Sequence, residues 1–135
     1  MPKDSRYNRS GIETNAGAFS PMSIEMTASQ ALEIWRAATL ESVRRDTPDL
    51  SARQMAVLLT VYLSTAPQTV RGLAEQLKVS KPAITHALDR LGDYGLIKRK
   101  PDEHDRRSIM VQRTVQGSVF LREFGDLVAT AATKA

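Results

Sequence analysis

The sequence predicts a mainly α-helical domain with one small β-hairpin, and three observations carry that expectation. Apolar residues recur at helical spacing through most of the chain from Ile24 onward. A Ser or Thr stands before each helical run, at Thr27, Ser51, Thr69, Ser80 and Thr114, where a side-chain oxygen can accept from the first free backbone N–H groups. Between Leu96 and Arg113 the period changes to two strand-like runs joined by a polar turn.

Residues 1–22 are rich in Ser, Asn, Gly and charge without hydrophobic period, and read as a flexible N-terminal arm that buries too little to offset ordering entropy. Residues 23–135 read as one domain. Its first helix, about 24–46, carries Ala28, Leu32, Trp35, Ala38 and Val43, with a Thr27-x-x-Gln30 capping pattern and a stop at Thr47-Pro48. Ile34 and Leu40 widen its apolar face beyond a single stripe, which suits a helix pressed between two surfaces. The second helix opens on Ser51-x-x-Gln54, continues through Met55, Leu58, Leu59, Tyr62 and Leu63, and ends by Ala66-Pro67.

Thr69 caps a third helix over Val70 to Lys78, with Leu73, Ala74 and Leu77 as its stripe. After a short turn Ser80 caps a fourth, Lys81 to about Tyr94, with Pro82 tolerated in the first turn and Gly95 permitting the exit. Ile84, Leu88 and Leu91 are its inward residues. The strands are Leu96 to Lys100 and Ser108 to Arg113, joined by Pro101-Asp102-Glu103-His104-Asp105. Thr114 caps a last helix, about 115–131, bearing Val115, Val119, Phe120, Phe124, Leu127 and Val128.

Length and composition bound what such a domain can do. At 135 residues the chain supports one sizeable core, and 41% hydrophobic with 25% charged residues is ordinary globular composition. Cysteine is absent, which excludes disulfides, Cys-ligated zinc and thiol chemistry. No apolar run reaches the roughly 20 residues of a membrane span, and no signal-peptide core is present, so the expected location is cytoplasmic with no membrane partner. The net charge of +4 is local: residues 71–113 carry ten Lys or Arg against six acids, while the segments on either side balance. A basic surface confined to one stretch suits an anionic partner such as nucleic acid, although a merely solvated basic face would look the same by charge alone.

Helix, helix, short turn, helix, hairpin, with the charge excess in the last three, is the order of a winged helix-turn-helix with flanking dimerisation helices. The exposed face of the fourth helix then holds Ser80, Lys81, Ala83, Thr85, His86, Asp89 and Arg90. These are small or hydrogen-bonding side chains that can approach base edges and phosphates.

The run LAEQLKVSKPAITHALDRLGDYGLIKRKPDEHDRRSIMVQRTVQG resembles the DNA-binding lobe of the MarR family of transcriptional regulators. The lobe covers about residues 50–113, and the resemblance continues to about 120. Its most specific part is Asp105-Arg106-Arg107 followed by a strand and Thr114-x-x-Gly117, which match the family's D-x-R wing and the threonine-led turn into the next helix. The resemblance implies that Arg107 enters the minor groove from the wing tip, that Asp105 orients the wing, and that Ser80, Lys81, Ala83, Thr85 and His86 meet DNA from the recognition helix. Arg90, Lys98, Arg99 and Arg106 join them as candidate DNA contacts on charge and position.

The implied protein is a sequence-specific regulator binding a pseudo-palindromic duplex as a homodimer, with no cofactor and with its effector, small molecule or protein, left open. Ile34, Trp35, Leu40, Phe120, Phe124 and Leu127 are the candidate dimer contacts. Only 21 residues follow Thr114, too few for the two closing helices usual in the family, so a smaller clasp is expected.

Other readings are weaker. Arg106 and Arg107 could pair with Asp102 or Asp105, worth about 0–1 kcal/mol at a surface. Four consecutive residues, Asp102 to Asp105, point in different directions and make a poor cation site. No nucleophile motif or phosphate loop suggests an enzyme. A winged helix serving as a protein-interaction module stays open, and would show an apolar patch on the recognition face.

Overall fold

The computed structural model describes residues 24–134, and its helices begin where the side-chain caps stand. Helix α1 spans Ala28–Arg44 and α2 spans Ala52–Leu63, each opened by a complete capping box. In α1 the Gln30 N–H donates to Thr27 Oγ1 at 3.1 Å and the Thr27 N–H to Gln30 Oε1 at 2.9 Å. Ser51 and Gln54 repeat the pattern at the same two distances in α2. Three residues predicted for α1, Ile24 to Met26, lie before its cap, and the helix stops at Arg44 with Arg45 already extended. The proline at 48 disfavours helix in the residue before it. The arm assigned to residues 1–22 lies outside the described residues.

Strand β1, Gln68–Thr69, leads into α3, Val70–Leu77. Strand β1 was not among the elements expected from the sequence. Two residues are too short to show a period, and Thr69 also serves as the cap of α3, accepting the Gly72 N–H at 3.0 Å. Lys78 ends α3 in the left-handed conformation at φ 56°, which makes the tight turn into α4, Lys81–Asp93. Glycine would adopt that conformation at less steric cost. Gly95, at φ 74°, turns the chain out of α4.

Strands β2, Ile97–Pro101, and β3, Ile109–Arg113, form an antiparallel hairpin with Ile97 opposite Arg113 and Lys100 opposite Met110. Gln68 of β1 pairs with Val111 on the other edge of β3, giving a three-stranded sheet in the order β1-β3-β2. Helix α5, Val115–Lys134, runs three residues past the predicted end, through an Ala-rich stretch of high helix propensity.

Two layers of packing result. Val57, Leu58 and Val61 of α2, Leu73 of α3, and Ile84, Leu88 and Leu91 of α4 meet Leu96, Ile97 and Val111 in the core of the winged helix. Phe120 and Leu121 of α5 pack against that core. Helix α1 lies on α5, burying Ile34 and Ala38, with Trp35 edge-on to Phe124 at 6.1 Å between centroids. Among the described residues α1 therefore has one packed surface, and Leu32, Trp35, Leu40 and Val43 are exposed. Leu63 and Val115, counted in the apolar patterns, are also exposed, at 66% and 83%.

Candidate nucleic-acid interface

Helix α4 separates its residues cleanly. Ile84, Ala87, Leu88 and Leu91 are buried, whereas Ser80, Lys81, Thr85, His86, Asp89 and Arg90 are exposed and Ala83 is half-buried. The hydroxyl of Ser80 is already engaged, accepting the Ala83 N–H at 3.2 Å. No large apolar side chain is exposed on this helix.

The hairpin tip is shaped by its own acids. Asp102 Oδ1 accepts the His104 N–H at 2.9 Å and Asp105 Oδ1 accepts the Arg107 N–H at 3.0 Å. Backbone bonds from Ser108 N to Asp105 O and from Asp102 N to Ser108 O, both 2.9 Å, close the turn. These carboxylates are thus used locally, as aspartates commonly are in turns. Arg106 and Arg107 are exposed, and among the described residues neither pairs with an acid.

Two of the other wing cations behave differently. Arg99 Nη2 lies 2.8 Å from Asp89 Oδ1, joining strand β2 to the outward face of α4. Lys100 reaches Glu103 at 3.7 Å, and Lys98 is exposed. The Asp89–Arg99 pair brings the wing and the exposed face of α4 to one side of the molecule. It also gives Arg99 a protein partner that the sequence analysis did not foresee, because the two residues sit in different elements.

Another arrangement escaped the sequence analysis. Ser51, Arg53 and Gln54 at the start of α2 line an open groove with His86, Asp89 and Arg90 of α4. The charge tally by segment placed Arg53 in a balanced region, and only folding brings it beside the basic one.

Comparison with known proteins bears on this geometry. The MarR family model matches residues 50–109, from before α2 into the start of β3. Over these 60 residues the winged helix is similar to the MarR family. The MarR D-x-R motif at 105–107 falls inside the match, while Thr114 and Gly117 lie just beyond it. The transcriptional regulator PecS of Dickeya dadantii is 36% identical over 74 residues, which are 53% of this chain and 45% of PecS. The chain thus spans less than half the length of that curated relative. The transcriptional regulator BldR of Sulfolobus solfataricus superposes with a TM-score of 0.56 at 27% identity, over 78% of this chain and 76% of that one. The MepR–DNA complex of S. aureus contains the same fold, with a TM-score of 0.61 at 21% identity over 76% and 79% of the two chains.

The dimer candidates divide. Ile34 is buried within the protomer at 9% exposure, and Phe120, Phe124 and Leu127 are half-buried, whereas Trp35 and Leu40 are exposed at 53% and 38%. Any partner would meet α1 chiefly through Leu32, Trp35 and Val43, of which the sequence analysis singled out only Trp35 as a contact.

Proposed function

We propose that this chain is a MarR-type transcriptional regulator that binds duplex DNA as a homodimer and works in the cytoplasm without catalysis. The observation that carries the reading is the contact between Arg99 of the wing and Asp89 of α4, which marks the wing, whose Arg106 and Arg107 pair with no acid among the described residues, as lying beside a recognition face of small and hydrogen-bonding side chains. The related transcriptional regulators PecS and BldR, and the similar fold of MepR in its complex with DNA, support the same direction.

Lys81, Thr85, His86 and Arg90 read the major groove, with Ser80 and Ala83 allowing close approach. Arg107 enters the minor groove, held at its backbone by Asp105, while Lys98 and Arg106 contact phosphates. Arg99 belongs to this set as the wing residue that touches α4. The lobe at about 50–113 carries DNA binding, and helices α1 and α5 carry the dimer.

A protein-interaction module would place an apolar patch on α4, and that helix exposes none. The homodimer rests on Leu32, Trp35, Leu40 and Val43, an exposed apolar series on one helix that a second copy would cover.

The test is a pair of substitutions measured on one duplex selected by the wild-type protein. Arg107→Ala weakens binding to that duplex and lowers the salt slope of log K by about 0.9. Thr85→Ala relaxes base preference by about 1–3 kcal/mol at one position. Binding by Arg107→Ala equal to the wild type at near-physiological salt would refute the wing assignment.

A further inference from the structure

The base of the wing is closed by a side chain from another element. The Asp102 N–H donates to Ser108 O. In an antiparallel ladder bonded pairs alternate, so Lys100 opposite Met110 and Lys98 opposite Gln112 are the next bonded pairs in this register. Leu96 opposite Thr114 follows. At that position the Thr114 N–H donates to the Tyr62 hydroxyl at 2.9 Å, and the hydroxyl donates to Leu96 O at 2.6 Å. Thr114 O lies 3.2 Å from the same hydroxyl as a second acceptor.

We propose that the Tyr62 hydroxyl is the positioning group of the wing, standing in for its last rung and fixing the hairpin's angle to helices α2 and α5. The proposal rests on the reading that the wing binds DNA.

Three neighbouring features belong to the same device. Thr114 Oγ1 donates to Gly95 O at 2.7 Å and accepts the Gly117 N–H at 2.9 Å, fastening the start of α5 to the turn before β2. Arg113, the last residue of β3, donates to Val61 O at 3.3 Å and Ser64 O at 2.6 Å at the end of α2, with its guanidinium 6.0 Å from the Tyr62 ring centroid. A Cβ on Gly117 would fall onto the Tyr62 hydroxyl and Leu96 O. Both ends of the hairpin and the first turn of α5 therefore converge on one oxygen. Without it the Thr114 N–H and the Leu96 carbonyl must move together to bond directly, which swings the wing, or admit water. The Leu96 N–H cannot compensate, because it already donates to Leu91 O at 2.9 Å. A wing moved at its base carries Arg107 away from the groove, so Tyr62 acts through Arg107 and touches no DNA.

The experiment uses the full chain with Tyr62→Phe, Arg107→Ala, the double substitution, and Val61→Ala as a control that destabilises α2 while keeping the hydroxyl. Amide exchange is followed at Thr114 and at Val57 and Leu58. Affinity is measured on the duplex that the wild type enriches from a randomised library. In Tyr62→Phe, Thr114 exchange rises at least 10-fold relative to Val57 and Leu58, and affinity falls about 10-fold. Arg107→Ala then adds less than 2-fold in the Tyr62→Phe background. Val61→Ala leaves the relative protection of Thr114 and the Arg107 effect unchanged. Unchanged Thr114 protection in Tyr62→Phe, losses that multiply with Arg107→Ala, or a Val61→Ala variant that reproduces Tyr62→Phe would each overturn the proposal. If Arg107→Ala alone leaves affinity unchanged, the DNA reading of the wing fails, and the Thr114 amide alone decides the role of the hydroxyl.

Discussion

Two glycines on helix α5 predict opposite responses to the same substitution. In Gly117→Ala the new Cβ meets the Tyr62 hydroxyl and Leu96 O, and the second of these is backbone that cannot turn aside. Overpacking of this kind costs about 1–3 kcal/mol. Displacing the hydroxyl leaves the Thr114 N–H and the Leu96 carbonyl without their partner, each costing about 1–3 kcal/mol if no water replaces it. Alanine returns about 1 kcal/mol of helix propensity. With no water at either group the net expectation is a loss of about 2–8 kcal/mol, a large share of the roughly 5–15 kcal/mol that holds a domain folded.

Among the described residues nothing lies within 4 Å of where a Cβ on Gly125 would sit, so Gly125→Ala keeps only the propensity gain and stabilises by about 0.5–1 kcal/mol. Urea melts of both variants, compared at constant m value, measure the difference directly. A Gly117→Ala variant as stable as Gly125→Ala would show that the convergence of Tyr62, Leu96 and Thr114 is not as described.

Two further outcomes follow from charge and burial. The Asp89–Arg99 pair is 55% and 35% exposed, so a double-mutant cycle with alanine at each position gives a coupling of only about 0.2–1 kcal/mol in stability after screening. Arg99→Ala nevertheless weakens DNA binding, and a variant that binds like the wild type would remove Arg99 from the interface. Trp35→Ala, combined with Leu32→Ala, shifts sedimentation at micromolar concentration from dimer toward monomer; a monomeric wild type would refute the assignment of α1 as the partner surface.

Much of the fold was legible because its signals are local. Thr27 with Gln30 and Ser51 with Gln54 lie three residues apart, and each pair marks a helix start, although the apolar Ile24 drew the expected start of α1 ahead of its cap. The inward residues Ile84, Leu88 and Leu91 followed from spacing alone. What stayed hidden depends on contacts distant in sequence. Tyr62 read as one more apolar position of α2, yet its hydroxyl partners are 34 and 52 residues away. Thr114 and Gly117 were recognisable as a pattern, but the reason for the glycine became visible only with Tyr62 above it. Leu63 and Val115 illustrate the converse: their type suggested burial, and nothing else in the described chain reaches to cover them. Arg53 could have been found by asking which residues flank the cap of α2, since that end of the helix faces α4.

The central claim is that α4 and the wing read duplex DNA by sequence. Selection from a randomised duplex library by the wild-type protein, at near-physiological salt, tests it most directly. A sequence-reading dimer enriches one pseudo-palindrome with half-site centres about 10 base pairs apart. Recovery of unenriched sequence, with affinity that follows salt concentration alone, would contradict it.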